Sequence, residues 1–105
     1  MKKKKIPNFL QPFLWSYNLN FLDLDNQAQR QLIIQQILNY GDEKAVKWLL
    51  KNFSLNEIKK ALKNPSRGFW HPESLTYWLK IFGLKLKRNT YEKAIKNIYP
   101  KERVY

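Results

Sequence analysis

The side chains able to do acid–base or nucleophilic chemistry are few, and their placement speaks against catalysis. His71 is the lone histidine, set between Trp70 and Pro72, and there is no cysteine. One histidine without thiols makes no zinc site and no Cys–His pair. Of the eight carboxylates, Asp23, Asp25, Asp42, Glu43, Glu57, Glu73 and Glu92 all fall where a helix would begin. There they cap or complement its positive end. Glu102 stands alone in the tail, so no carboxylate pair is available for acid–base or metal work. Ser54 heads a Ser-Leu-Asn-Glu capping box. The three glycines are too scattered for a phosphate loop or a nucleophile elbow. The expectation is a non-enzyme with no cofactor and no bound metal.

What the chain has in excess is positive charge: 20 Lys and Arg against eight acids, a formal net charge of +12. Such a balance favours polyanions, because clustered cations release counterions from a phosphate backbone. It also has a plain alternative origin. Sixteen Lys against four Arg, with many Asn and Ile and little Ala or Gly, is what an AT-rich genome writes on any protein.

These residues need elements to position them. Residues 7–25 alternate, with Phe13, Trp15, Tyr17, Leu19 and Phe21 on one side, which predicts an extended aromatic arm lying across the helices. A first helix is predicted from about Asn26 to Tyr40, capped by Asp25, lined on one face by Leu32, Ile33, Ile37 and Leu38, and stopped by a left-handed Gly41. A second follows from Asp42 with Val46, Leu49, Leu50 and Phe53 as its apolar stripe. The third opens at the capping box, buries Leu55, Ile58, Ala61 and Leu62, and stops before Pro65. The fourth begins at Pro72, stacks Leu75, Trp78, Leu79 and Phe82, and ends at Gly83. Thr90 caps a fifth, with Tyr91, Ala94, Ile95 and Ile98 on one face, ending at Pro100. Together they predict an all-α fold, a five-helix orthogonal bundle with an extended aromatic N-terminal arm. The boundaries expected are a basic tail over 1–8, one helical domain over 9–99 and a tail over 100–105. The lysines at 2–5 are followed by Pro7 and Pro12 and by no long apolar run, so a cytoplasmic protein without a membrane span is expected.

Several stretches taken together carry a resemblance: Phe13-Leu14-Trp15-Ser16-Tyr17, Leu32-Ile33-Ile34 through Ile37-Leu38-Asn39-Tyr40-Gly41-Asp42, Val46-Lys47-Trp48-Leu49, and Tyr77-Trp78 through Ile81-Phe82-Gly83. They resemble a family of small bacterial and archaeal antitoxin-like helical proteins, often encoded beside nucleotidyltransferase-type toxins. The likeness covers about residues 13 to 86. It implies a protein that neutralises a partner toxin by binding it, and it brings no catalytic residues. Where such proteins carry a serine-like cap before the fourth helix, this chain has His71.

Two functions follow. In the first, the partner is a protein, such as a nucleotidyltransferase-like toxin, and Trp15, Tyr17, Trp48 and Trp70 are interface anchors, since Trp and Tyr dominate hot spots. The bland reading of the same residues is core packing. In the second, the partner is duplex DNA. Ser74, Thr76, Tyr77 and Lys80 of the fourth helix enter the major groove, while Lys59, Lys60, Lys63 and Arg67 hold phosphates. The connection between the third and fourth helices is longer than a helix-turn-helix turn, which favours phosphate contact over base reading. The bland reading of this cluster is a solvated face.

Overall fold

The computed structural model describes residues 6–14 and 22–95. It is all-α: a short 3-10 helix over Asn8–Phe13 is followed by α1 (Gln27–Tyr40), α2 (Glu43–Asn52), α3 (Leu55–Lys63), α4 (Pro72–Ile81) and α5 (Arg88–Ala94). Among the described residues there is no strand, only an isolated parallel bridge between Trp70 and Ile95. No helix there is long and apolar enough to cross a membrane.

The organising element is α1, which packs against the 3-10 helix, α2, α3 and α4. Because neighbours lie on several sides, every residue from Ile33 to Asn39 is buried, including Gln35, Gln36 and Asn39. The single apolar face expected from the sequence is therefore too narrow. A helix enclosed by its neighbours has no solvent side to be amphipathic about. Its N-cap is Asn26 rather than Asp25: the Asn26 side chain accepts from the Gln29 N–H at 3.0 Å. The Asp25 N–H is instead tied to Asp23 Oδ1 at 2.9 Å, so the turn is finished before the helix starts. Gly41 is likewise not a left-handed stop, having φ −75°. Glycine stands there because a Cβ would meet the Ile37 carbonyl oxygen at 2.6 Å.

On α2 the Asp42 cap is as expected, accepting from the Ala45 N–H at 2.9 Å. The stripe is rotated, however: Ala45 and Leu49 are buried, followed by Phe53, while Leu50 is 44% exposed. On α3 both arms of the capping box are present. Ile58, Ala61 and Leu62 are buried, but Leu55 lies outside the core at 55% exposure. Leu50 and Leu55 flank the bend between the two helices, and only one side of that bend faces α1.

α4 starts at Pro72 and ends in the Schellman arrangement its glycine predicts. Gly83 has φ 65°, the Leu84 N–H donates to the Leu79 carbonyl at 2.8 Å, and the Gly83 N–H to the Lys80 carbonyl at 3.2 Å. α5 begins earlier than expected. The Tyr91 N–H already donates to the Lys87 carbonyl, so Thr90 sits inside the first turn and is not the cap. Ile98 and Pro100 lie outside the described residues.

The predicted extended arm is not what residues 8–13 form. They coil into the 3-10 helix, which contains Pro12, and bury Leu10 and then Leu14, four residues apart, instead of an alternating set. Ile6, Leu22 and Leu24 join the same core. The centre of the arm, residues 15–21, lies outside the described residues.

Candidate functional site

The connection between α3 and α4 is held on both sides, and that fixes what it presents. On the inner side, Gln35 Oε1 accepts the Ser66 N–H at 2.8 Å and the Trp70 indole N–H at 2.9 Å. One turn later, Asn39 donates to the Phe69 carbonyl at 3.1 Å and accepts the His71 N–H at 3.0 Å. On the outer side, the Gly68 N–H donates to the Lys93 carbonyl, and those of Phe69 and Trp70 to the Ala94 carbonyl. Gly68 makes the intervening turn at φ 65°, where a side chain would strain. Amides one turn apart on a buried helix thus do for an irregular loop what a neighbouring strand does in a sheet.

This anchoring decides the fate of the aromatic candidates. Trp70 is fully buried and spends its N–H on Gln35. It is a core residue, and the expectation of an exposed anchor there is corrected. Trp48 is half-buried, edge-on to Phe53 with centroids 5.9 Å apart. Trp15 and Tyr17 lie outside the described residues. His71 stands at the N-cap of α4 without a side-chain cap bond, its ring edge-on to Tyr40 at 5.2 Å.

The basic candidates are gathered at one place. Lys60, Lys63 and Arg67 are exposed and Lys59 is half-buried, on the last turns of α3 and the loop beyond. Among the described residues none of the four forms an ion pair. On α4, Tyr77 and Lys80 are exposed. The Ser74 hydroxyl donates to the Asn39 carbonyl at 3.2 Å and the Thr76 hydroxyl shares a 2.8 Å hydrogen bond with that of Tyr91. Two of the four expected base readers are therefore engaged within the fold. Between α1 and the loop lies a cleft of about 260 Å³ lined by Leu32, Gln35, Ser66, Arg67, Gly68 and Phe69.

The carboxylates are largely accounted for by local structure. Asp42 and Glu57 cap their helices, and Glu43 pairs with Lys47. Glu92 falls beyond the first turn of α5 and pairs with Arg88. Glu57 does more than its box requires. Its two oxygens take Arg30 Nε at 2.6 Å and Nη2 at 2.7 Å, while Arg30 Nη1 donates to the Leu24 carbonyl at 2.8 Å. The hydrogen bonds from Arg30 hold the Glu57 carboxyl below its ordinary pKa, and those with Glu57 raise that of Arg30. Among the described residues no group of three or more His, Cys, Asp or Glu side chains is placed to hold a metal.

Sequence reasoning passed over Arg30, Gln35 and Asn39. The available signal was the spacing of Gln35 and Asn39, four residues apart and interleaved with Ile33, Ile34, Ile37 and Leu38, where a polar pair needs a reason.

With this geometry in place, one comparison is informative. The pattern of a family of unknown function, DUF6922, matches residues 9–62, just over half the chain. The chain belongs to the DUF6922 family. The matched DUF6922 segment runs from the 3-10 helix to the end of α3, a shorter span than the resemblance suggested, and leaves the α3–α4 loop, α4 and α5 outside. No curated protein and no solved structure matches the chain.

Proposed function

We propose that this DUF6922 protein is a non-catalytic binding module that docks on a partner protein through the outer face of α4, in the manner of an antitoxin neutralising a nucleotidyltransferase-type toxin. The observation that carries the reading is the pair Tyr77 and Ile81, one helical turn apart and 54% and 55% exposed. The Tyr77 ring stands edge-on to Trp78, which is fixed in turn by its indole N–H to the Leu38 carbonyl at 2.8 Å. A large aromatic on a rigid base beside an exposed aliphatic is the composition of an interface centre. Lys80 lies exposed on the same face, which calls for an acidic group on the complementary surface. The engagement of Asp42, Glu43, Glu57 and Glu92 in caps and ion pairs supports a role without catalysis.

Co-expression with the product of the adjacent gene tests this. A stable complex and relief of growth arrest are expected, and a folded Tyr77→Ala, Ile81→Ala double variant should lose both. Unaltered rescue by that variant, or no complex with the parent, overturns the reading.

A second reading is favoured by a separate observation: among the described residues Lys60, Lys63 and Arg67, beside Lys59, form no ion pair. With the Ser74 and Thr76 hydroxyls engaged, it is phosphate contact with duplex DNA, weak in sequence preference.

A further inference from the structure

Gln35 is 4% exposed, and its side-chain oxygen already accepts two obligatory donors, the Ser66 backbone N–H and the Trp70 indole N–H. Neither donor can be satisfied by an NH₂ group, so the amide cannot be turned over. Its Nε2 is thereby fixed as a donor on a residue that lines the cleft. Among the described residues it donates to nothing. Arg67 lines the same cleft, exposed and without a partner among the described residues. Gln35 Nε2 reaches solvent although the residue is otherwise buried, and with the exposed Arg67 lining the same space it suits an acceptor that carries negative charge. Lys60 and Lys63 on the preceding turns of α3 add positive potential, which favours a dianion over a monoanion. Leu32 and Phe69 supply apolar wall. At about 260 Å³ the cleft falls just below the range of about 300–1,000 Å³ for drug-sized ligands, and it is open to solvent on one side, which suits the phosphate end of a small ligand.

We propose that the cleft between α1 and the α3–α4 loop binds the phosphate of a small phosphorylated ligand, such as a nucleoside monophosphate, through Gln35 Nε2 and the Arg67 guanidinium. The site is independent of the Tyr77–Ile81 face. An Arg67 substitution leaves that face intact, so the two proposals fail separately.

The test is titration of the isotope-labelled full chain with AMP, adenosine and inorganic phosphate, following the Gln35 side-chain NH₂ and Arg67 Nε–H resonances. AMP should shift both saturably, with inorganic phosphate shifting the same resonances more weakly and adenosine binding about tenfold less tightly, or worse. Arg67→Ala, at an exposed position, should stay folded and weaken AMP by a similar factor. Gln35→Glu keeps an acceptor for Ser66 and Trp70 but sets an oxygen where the donor was, and should abolish the shifts. Should it not fold, Arg67→Ala and the adenosine comparison decide. Equal binding of AMP and adenosine, full affinity in Arg67→Ala, or resonances unmoved by AMP or by phosphate would mean that Nε2 meets only water, and the proposal falls.

Discussion

Arg30 on α1 and Arg67 in the α3–α4 loop carry the same guanidinium into opposite surroundings. Arg30 uses Nε, Nη1 and Nη2 on Glu57 and the Leu24 carbonyl and lies 4.2 Å from the centre of the Phe53 ring. It ties the entry of α1 to the start of α3. Arg67 stands exposed on a loop that Gln35, Asn39, Lys93 and Ala94 hold without its side chain. A charge count assigns the two equal weight, yet one is consumed by the fold and the other is left for something else. The net charge is therefore a poor guide to the partner. What matters is which cations the fold leaves unspent.

The sharpest way to break the comparison is at the inner side of the loop. Trp70→Ala should cost about 3–5 kcal/mol, because a fully buried ring and its hydrogen bond are lost together. Denaturant titration measures it, and a change inside error would return Trp70 to the surface. Next, Arg30→Met should cost about 2 kcal/mol, less than a fully buried pair because the Arg30 and Glu57 side chains are 20% and 25% exposed. Arg67→Ala should stay within about 0.5 kcal/mol of the parent. Equal losses at the two arginines would erase the distinction between them.

The same pair sets a pH dependence. With its folded pKa depressed, Glu57 contributes stability that is fully present above its ordinary value of 4.5 and is lost as pH falls through the lower folded value. The stability gap between the parent and Glu57→Gln should therefore be widest near neutrality and shrink in acid. A gap independent of pH contradicts the pairing.

Smaller than the Arg30 effect, Ser54→Ala should cost about 1 kcal/mol through the lost cap. An effect on stability as small as that of Arg67→Ala, within about 0.5 kcal/mol, is expected for the Lys59, Lys60, Lys63 triple alanine variant. If those lysines hold phosphates, its plot of log affinity for duplex DNA against log salt becomes shallower by about 0.9 per contact removed. A slope equal to the parent's leaves them a solvated face and removes the second reading.

The sequence by itself determined the helix punctuation and hence the all-α class: Asp42, the Ser54–Glu57 box, Pro72 at the first turn of α4 and Gly83 in its Schellman close. Each is made by atoms within a few residues of one another, so type and spacing suffice. Asp25 and Thr90 failed because a neighbouring residue, or an earlier start of the ladder, did the same job. Burial was legible only where one neighbour decides it. Leu50 and Leu55 fit a helical stripe but face outward, since the bend between α2 and α3 allows only one side to meet α1. At the start of the arm, residues 8–13 coil into a 3-10 helix that buries Leu10, with Leu14 following, while the alternating residues 15–21 lie outside the described residues. Tertiary structure alone decided the joints of the fold: Arg30 with Glu57, 27 residues apart, and Gln35 with Trp70, 35 apart. A polar side chain on a helix is ordinarily a solvent residue. Only the closing of other segments around α1 removes the water and makes Gln35 and Asn39 the partners of the Ser66 and His71 N–H groups at the two ends of the loop.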